Sequence, residues 1–271
     1  MNLPQPETLL LEPKGPVLQV TFNRPQSRNA MSLQMVQELS ELFQAIADSD
    51  QYRAVVLRGA GGHFCAGADI KDMATARASL GRSADDPVFA MNRAFGRLIT
   101  QVNQAPQTVI VVLEGAVLGG GFGLACVSDV AITAADAKFG LPETGLGIIP
   151  AQIAPFVVTR IGLTQARRLA LLGARFEGAE AYRLGLVHYV CNSADEVESQ
   201  LNEVLEQVKR CAPHANRVTK QLMLKVGQPD LEAILDDAAR EFSKAVQSAE
   251  GQEGTMAFIQ KRLPSWATSE N

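Results

Sequence analysis

Two glycine-bearing stretches in this chain have the types and spacing that chemistry at a carbonyl carbon needs. In LEGAVLGGGFGLACVSD, Leu113 to Asp129, the glycines Gly119, Gly120 and Gly121 stand between the strand-forming run TVIVV and the apolar, helix-forming run FGLACV. Glycine costs backbone entropy, so three together signal a positive φ or a bare N–H approached closely by another molecule. The stretch lacks the GxxxxGK(S/T) pattern and does not give GxGxxG in register, which argues against a nucleotide phosphate as that molecule. What remains is a helix N-terminus whose accessible amides and partial positive charge suit a developing oxyanion. Close helix–strand packing would use the same glycines. A second loop, HFCAGAD, also follows a buried strand and offers the small residues Ala66, Gly67 and Ala68. Two such loops can converge on one carbonyl oxygen.

The elements that must hold these groups follow from the pattern. TLLLE and PVLQVTF flank the turn EPKGP as a β-hairpin, and Ser32 caps an amphipathic helix, LQMVQELSELFQAIADS. RAVVLRG is a short buried strand, followed by the loop GAGGHFCAGADIKDM and a polar, mobile insertion, ATARASLGRSADD. A helix is predicted from about Pro87 to Asn103, and TVIVVLEG is the next buried strand, leading directly into the glycine triplet and its helix. DVAIT is a further strand, and KFGLPETGLGIIPAQIAPFVVTRIG runs from strand through a Pro/Gly loop into helix. Strands alternating with helices to about Val190 define an α/β core with crossover connections; from Asn192 only helices follow, packed on the core or on a neighbour.

Bulk properties narrow the class. The 271 residues, 46% of them hydrophobic, suffice for a substantial core. Lys+Arg 25 against Asp+Glu 29 gives net charge −4 without a long run of one sign, which argues against nucleic acid or an anionic membrane as partner. Cys65, Cys126, Cys191 and Cys211 are widely spaced with no CxxC pair, as expected of reduced thiols in a cytosolic protein. The N-terminal MNLPQPETLLLEP lacks the form of a secretory signal, and Glu114 with the clustered glycines divides the apolar run from Thr108 to Val127, so a strand, turn and helix are expected there rather than a membrane span. His63, His188 and His214 are scattered and form no metal constellation. His63 reads as a structural side chain of its loop, Glu114 as a structural hydrogen-bonding group, and Cys65 as a packing residue without a partnered base.

Taken together, HFCAGADIKDM, EGAVLGGGFGLACVSD and AKFGLPETGLGIIP resemble the enoyl-CoA hydratase/isomerase (crotonase) family in order and spacing across nearly the whole chain. The resemblance implies a spiral of ββα units over residues 1–191, a helical C-terminal trimerisation region over 192–271, and assembly as a homotrimer or a dimer of trimers. It implies an acyl-CoA thioester substrate whose enolate is held by two backbone N–H groups, which the motif positions assign to Ala66 and Gly120. Glu143, in GLPETG, stands at the family's catalytic position; in apolar surroundings its pKa would rise toward neutrality, as proton transfer to the α-carbon requires. Many family hydratases carry a second glutamate where this chain has Gly123, so hydration with one carboxylate, double-bond isomerisation, and acyl-CoA binding without turnover are all open. The flanking text is similar to bacterial hydratases of 3-methylglutaconyl-CoA and isohexenylglutaconyl-CoA, the latter belonging to acyclic terpene degradation. A glutaconyl substrate brings its own carboxylate, which could orient water in place of the missing glutamate. No cofactor is implied beyond the CoA of the substrate, and no metal. By motif position the CoA contacts fall to Arg28, Ala66, Gly67, Ala68, Asp69, Ile70, Gly120, Phe258 and Lys261, the last two often serving a neighbouring subunit.

Overall fold

The N-terminal hairpin forms as the sequence predicts, from β1 (Leu9–Lys14) and β2 (Val17–Phe22), antiparallel, with Gly15 at φ 56° in the turn. The computed structural model describes residues 3–81, 86–227 and 229–268. Helix α1 (Leu33–Ile46) is capped by Ser32, whose hydroxyl accepts from the Met35 amide at 3.2 Å, and it buries Met35, Leu39, Leu42, Phe43 and Ile46 along one stripe. The chain returns through β3 (Ala54–Gly59), parallel to β2. Helix α2 (Ile70–Ala78) and helix α3 (Pro87–Gln104) then precede β4 (Thr108–Leu113).

Two sequence expectations are corrected here. The segment from Ile70 to Ala78, expected as loop and polar insertion, is helical because Asp69 caps it, its carboxylate accepting from the Lys71 amide at 2.9 Å. Of the remainder of that insertion, residues 82–85 lie outside the described residues. The glycine triplet does not follow β4 directly. A short strand, β5 (Ala116–Leu118), intervenes after a turn in which Gly115 takes φ 53°, and α4 (Gly120–Val127) opens after it.

Strand β6 (Val130–Ala134) rejoins the first sheet and β7 (Lys138–Gly140) pairs with β5. Helices α5 (Ala154–Ile161) and α6 (Leu163–Leu172) follow, then β8 (Arg175–Phe176), α7 (Gly178–Arg183) and β9 (Tyr189–Cys191). The result is a six-stranded sheet of order β1-β2-β3-β4-β6-β9, parallel except for β1, beside a three-stranded sheet of order β5-β7-β8. Cys65 adds a parallel bridge to Val117 at the edge of the smaller sheet. Each turn of the chain thus lays one strand in the large sheet, a shorter extended piece in the small one, and a helix outside: the ββα spiral expected from the motifs.

Both faces of the large sheet are covered, which explains why its strands read as continuous apolar runs rather than alternating ones. Val55, Leu57, Val109 and Val111 face a core shared with α1, α3 and α4. Their sequence neighbours Ala54, Val56, Ile110 and Val112 face the other way, as the two-residue strand period demands. That second face is closed by α8 (Ala194–Arg210) through Val197, Leu201, Val204 and Leu205. The first helix beyond residue 191 therefore packs on the core. Helices α9 (Pro213–Leu224), α10 (Leu231–Gln247), α11 (Ala249–Ile259) and α12 (Ser265–Thr268) complete the chain and leave Met223, Phe242, Met256 and Phe258 exposed. Among the described residues no helix is long and apolar enough to cross a membrane.

Candidate active site

The two loops do converge. The segment after β3 runs extended between the backbone at Met31 and β5: Cys65 N–H donates to the Ala116 carbonyl at 2.8 Å, and Leu118 N–H donates to the Cys65 carbonyl at 2.9 Å. On its other side Met31 N–H donates to the Gly67 carbonyl at 2.8 Å, and Asp69 N–H donates to the Met31 carbonyl at 3.0 Å. In extended backbone the polar groups of successive residues point alternately to opposite sides, so pairing Gly67 and Asp69 with Met31 turns the Ala68 amide away from it. No acceptor among the described residues takes the Ala68 N–H.

Ala66 is different, and here the sequence assignment is corrected. Its N–H donates to the Arg28 carbonyl at 3.0 Å and is spent on holding the loop. The Gly67 and Ala68 amides have no acceptor among the described residues, and of the two only Ala68 lines the cavity. Arg28 contributes through this carbonyl: it sits in the left-handed region at φ 49° with its side chain exposed, outside the cavity lining.

The second open amide belongs to Gly120, the first residue of α4, again with no acceptor among the described residues. Gly119 makes this possible. It takes φ 50° and ψ −113°, and a Cβ there would lie 3.0 Å from Glu143 Oε1 and 3.5 Å from the Gly67 Cα, so only glycine lets the two loops and the carboxyl close on one another. Behind them a Cβ on Gly121 would strike Cys65 Cβ at 2.7 Å, which makes this third glycine a packing requirement.

Glu143 begins a 3-10 turn, Glu143–Leu146, anchored by the Thr144 hydroxyl, which donates to the Ala170 carbonyl of α6 at 2.7 Å. Burial pushes the Glu143 carboxyl up from the ordinary glutamate range, and its Oε2 is buried with no hydrogen-bond partner. An acceptor left in that condition is poised to take a proton. Ala68, Gly120 and Glu143 line a single cavity of about 570 Å³, together with apolar side chains that include Met31, Val36, Phe89, Phe95 and Ile148. Three aspartates also line it, each already engaged. Asp69 pairs with Arg24 at 2.7 Å and caps α2, Asp72 accepts from the Leu33 amide at 2.7 Å, and Asp86 caps α3 through the Val88 and Phe89 amides. Burial works to raise Asp69, but hydrogen bonds from Arg24 and from the Lys71 amide prevail and hold its carboxyl below the usual range.

Gly123 receives a structural explanation. A Cβ there would fall inside contact distance of Ile153 Cγ2 and 3.0 Å from Ile99 Cδ1. Where the resemblance leads one to look for a second carboxyl, apolar side chains occupy the space. Of the remaining expected contacts, Gly67 takes φ 99° and serves the backbone, while Ile70 stands exposed on the first turn of α2, outside the lining. Phe258 and Lys261, near the end of α11, are also exposed and outside it. Sequence reasoning missed Met91, Asn92 and Phe95 of α3 and the segment from Gly147 to Ile153, all of which line the cavity. Gly96 inside α3 was the available signal, since a glycine in a helix interior costs about 1 kcal/mol and calls for a reason.

His63, as expected, is structural: its Nδ1 accepts from the Ala116 amide at 3.1 Å. Glu114 pairs with Arg58 at 3.3 Å. Cys65 is fully buried, and burial pushes its thiol up to about 11, which keeps it out of the chemistry.

Two amides without acceptors, from separate loops, and a carboxyl whose Oε2 has no partner line one cavity, an arrangement suited to polarising a carbonyl and moving a proton at the neighbouring carbon. Comparison with known proteins agrees with that class. The model of the enoyl-CoA hydratase/isomerase family matches residues 12–269, and the chain belongs to this family. It is similar to the solved structure of Pseudomonas aeruginosa AtuE, at 63% identity over 97% of this chain and 100% of that one, with a TM-score of 0.94. An enoyl-CoA hydratase/isomerase from Marinobacter aquaeolei follows at 60% identity, 96% and 99% coverage, and a TM-score of 0.93. The short-chain-enoyl-CoA hydratase of Clostridium acetobutylicum is 31% identical over 94% of this chain and 95% of its own length. The chain is an enzyme of the enoyl-CoA hydratase class.

Proposed function

We propose that the protein adds water across the 2,3-double bond of an enoyl-CoA ester whose acyl group is a 3-substituted glutaconyl chain, as in the isohexenylglutaconyl-CoA of acyclic terpene degradation. The observation that carries the reading is the meeting of the Ala68 amide, the Gly120 amide and the Glu143 carboxyl in one cavity. The thioester oxygen accepts from both amides. Glu143 takes a proton from water as its oxygen bonds to the β-carbon; the π electrons of the alkene pass to the α-carbon and thioester oxygen. The protonated Glu143 then delivers that proton to the α-carbon. One carboxyl serves both transfers, in keeping with the apolar packing over Gly123. Each amide donor aimed at the enolate oxygen contributes about 3–4 kcal/mol in a dry site. The apolar lining, with Met31, Val36, Phe89 and Ile148, supports a branched hydrocarbon substituent. No cofactor is required beyond the CoA of the substrate, and the apolar side chains left exposed on α10 and α11 support assembly into a trimer.

The same groups could shift a double bond without water, and the test separates these outcomes. Candidate enoyl-CoA esters are incubated in oxygen-18 water and the products analysed by mass. Label at the β-carbon is expected. A displaced double bond without label would establish the isomerase, and binding of the esters with no conversion would establish a non-catalytic acyl-CoA-binding protein.

A further inference from the structure

One wall of the cavity carries a polar group that the mechanism above does not use. Asn92 and Gln152 line the cavity, and behind Gln152 stands Arg93, half-buried on α3. Arg93 Nη1 donates to Gln152 Oε1 at 2.6 Å, and Gln152 Nε2 donates to Asn92 Oδ1 at 2.7 Å. A guanidinium only donates, so it forces the oxygen of Gln152 toward itself. The nitrogen of Gln152 must then face Asn92, which in turn commits its own oxygen. The hydrogens left over belong to the Asn92 amide, to the second hydrogen on Gln152 Nε2 and to the rest of the guanidinium. Among the described residues Arg93 has no carboxylate partner. The cluster therefore presents amide donors, with a guanidinium behind them, to a cavity whose aspartates Asp69, Asp72 and Asp86 are each already engaged.

Its construction has a cost that packing alone does not explain. Gly96, in the interior of α3, is the residue over which Gln152 lies: a Cβ there would collide with Gln152 Oε1 and stand 2.5 Å from Arg93 Nη1. The helix gives up stability at this position to admit the polar chain. Placement matters as well. Phe95 packs over Gly120, its ring within 3.2 Å of where a Cβ on Gly120 would be, and Asn92 lies three residues earlier on the same helix. Gly120, Asn92 and Gln152 line the same cavity, so an acyl chain whose thioester oxygen sits at the Gly120 amide runs along the space that this wall borders.

We infer that Asn92 and Gln152, backed by Arg93, form the subsite for a carboxylate at the distal end of the acyl chain. This rests on the proposed reading of the cavity as an acyl-CoA site and names the residues that read the substrate's second anion. Arg93 acts through the two amides as a positioning residue. Held there, the anion fixes the acyl chain along the cavity while Glu143 alone moves the proton.

The test compares glutaconyl-CoA with pent-2-enoyl-CoA, which differ by the terminal carboxylate. Arg93→Met and Gln152→Leu are each expected to lower the ratio of kcat/KM for the acid over the neutral ester by roughly 10- to 100-fold, as loss of hydrogen bonding to a charged group predicts. Most of the change should lie in KM. Arg93→Lys, which keeps the charge, should restore part of the ratio. An equal fall for both esters, or an unchanged ratio, overturns the inference. Dissociation constants of both esters, measured by calorimetry on protein carrying Glu143→Gln with and without Arg93→Met, read the subsite without turnover. Selective loss of glutaconyl-CoA binding there upholds it even if neither ester is hydrated, whereas equal binding in the two backgrounds refutes it.

Discussion

Gly123 is the position where the structure makes its most specific demand. A methyl group there meets Ile153 Cγ2 well inside contact, and lies 3.1 Å from Ile153 Cβ and 3.0 Å from Ile99 Cδ1. Carbon atoms prefer separations of about 3.5–4.0 Å, and Ile99 and Ile153 are 0% and 3% exposed, so neither can swing into solvent. Overpacking of this kind costs about 1–3 kcal/mol, which for a chain of this size lowers the melting temperature by roughly 2–12 °C. Gly123→Ala should show that drop in a thermal melt. Ile153→Ala alone opens a cavity and should cost about 2–5 kcal/mol. Combined, the two changes relieve one another, since the new methyl enters the space the isoleucine leaves. The pair should fall short of the sum by about 0.5–3 kcal/mol. Gly123→Glu, which adds a carboxylate to the same tight space, should destabilise far more and gain no turnover. A Gly123→Ala protein as stable as wild type, with effects that simply add to those of Ile153→Ala, would refute the argument that apolar packing holds the place of a second carboxyl.

Glu143, Asp69 and the cysteines give further expected outcomes. Glu143→Gln should lower turnover by roughly 10²–10⁴-fold while ester binding persists. Because burial raises the Glu143 carboxyl, the acid limb of the wild-type kcat/KM profile should have its midpoint above the ordinary glutamate value of about 4.3, and a midpoint at or below it would count against Glu143 as the base. The sign for stability is the reverse of a paired carboxylate: ionised Glu143 costs the fold, so Glu143→Gln should gain stability on the wild type as pH rises through the raised pKa, with little difference at lower pH. Asp69→Asn should destabilise by about 1–3 kcal/mol through the lost charge in its 2.7 Å pair with Arg24. Since the Asp69 carboxyl is held low, that contribution is present above its unfolded pKa of about 3.9 and is lost as pH falls through the folded value, so wild type and variant should converge in acid. In the native protein a thiol reagent should label Cys211 promptly and spare Cys65 and Cys126, which are buried and pushed up to about 11 and about 12. Prompt labelling of Cys65 would mean that the oxyanion loop opens.

The sequence by itself determined the elements and the kind of chemistry. The hairpin around Gly15, the Ser32 cap of α1 and the strands β3, β4 and β6 were legible because each rests on local signals: turn glycine, cap residue, apolar run. Glu143 stood out only through the resemblance of its motif to the family. The glycine triplet and HFCAGAD announced open amides for the same reason, since small residues at a strand's end leave the backbone accessible. Which amide is open was decided by tertiary pairing. Ala66 and Ala68 are alike in sequence, and only the hydrogen bonds of Arg28 and Met31 to this segment spend one N–H and turn the other into the cavity. Gly123 as a packed position, Asn92 and Gln152 as the cavity's polar wall, and the covering of the sheet by α8 depend on residues far apart in the chain meeting in space. A hydrogen bond or van der Waals contact acts over a few ångströms and is indifferent to separation along the chain, so no local pattern could report these contacts.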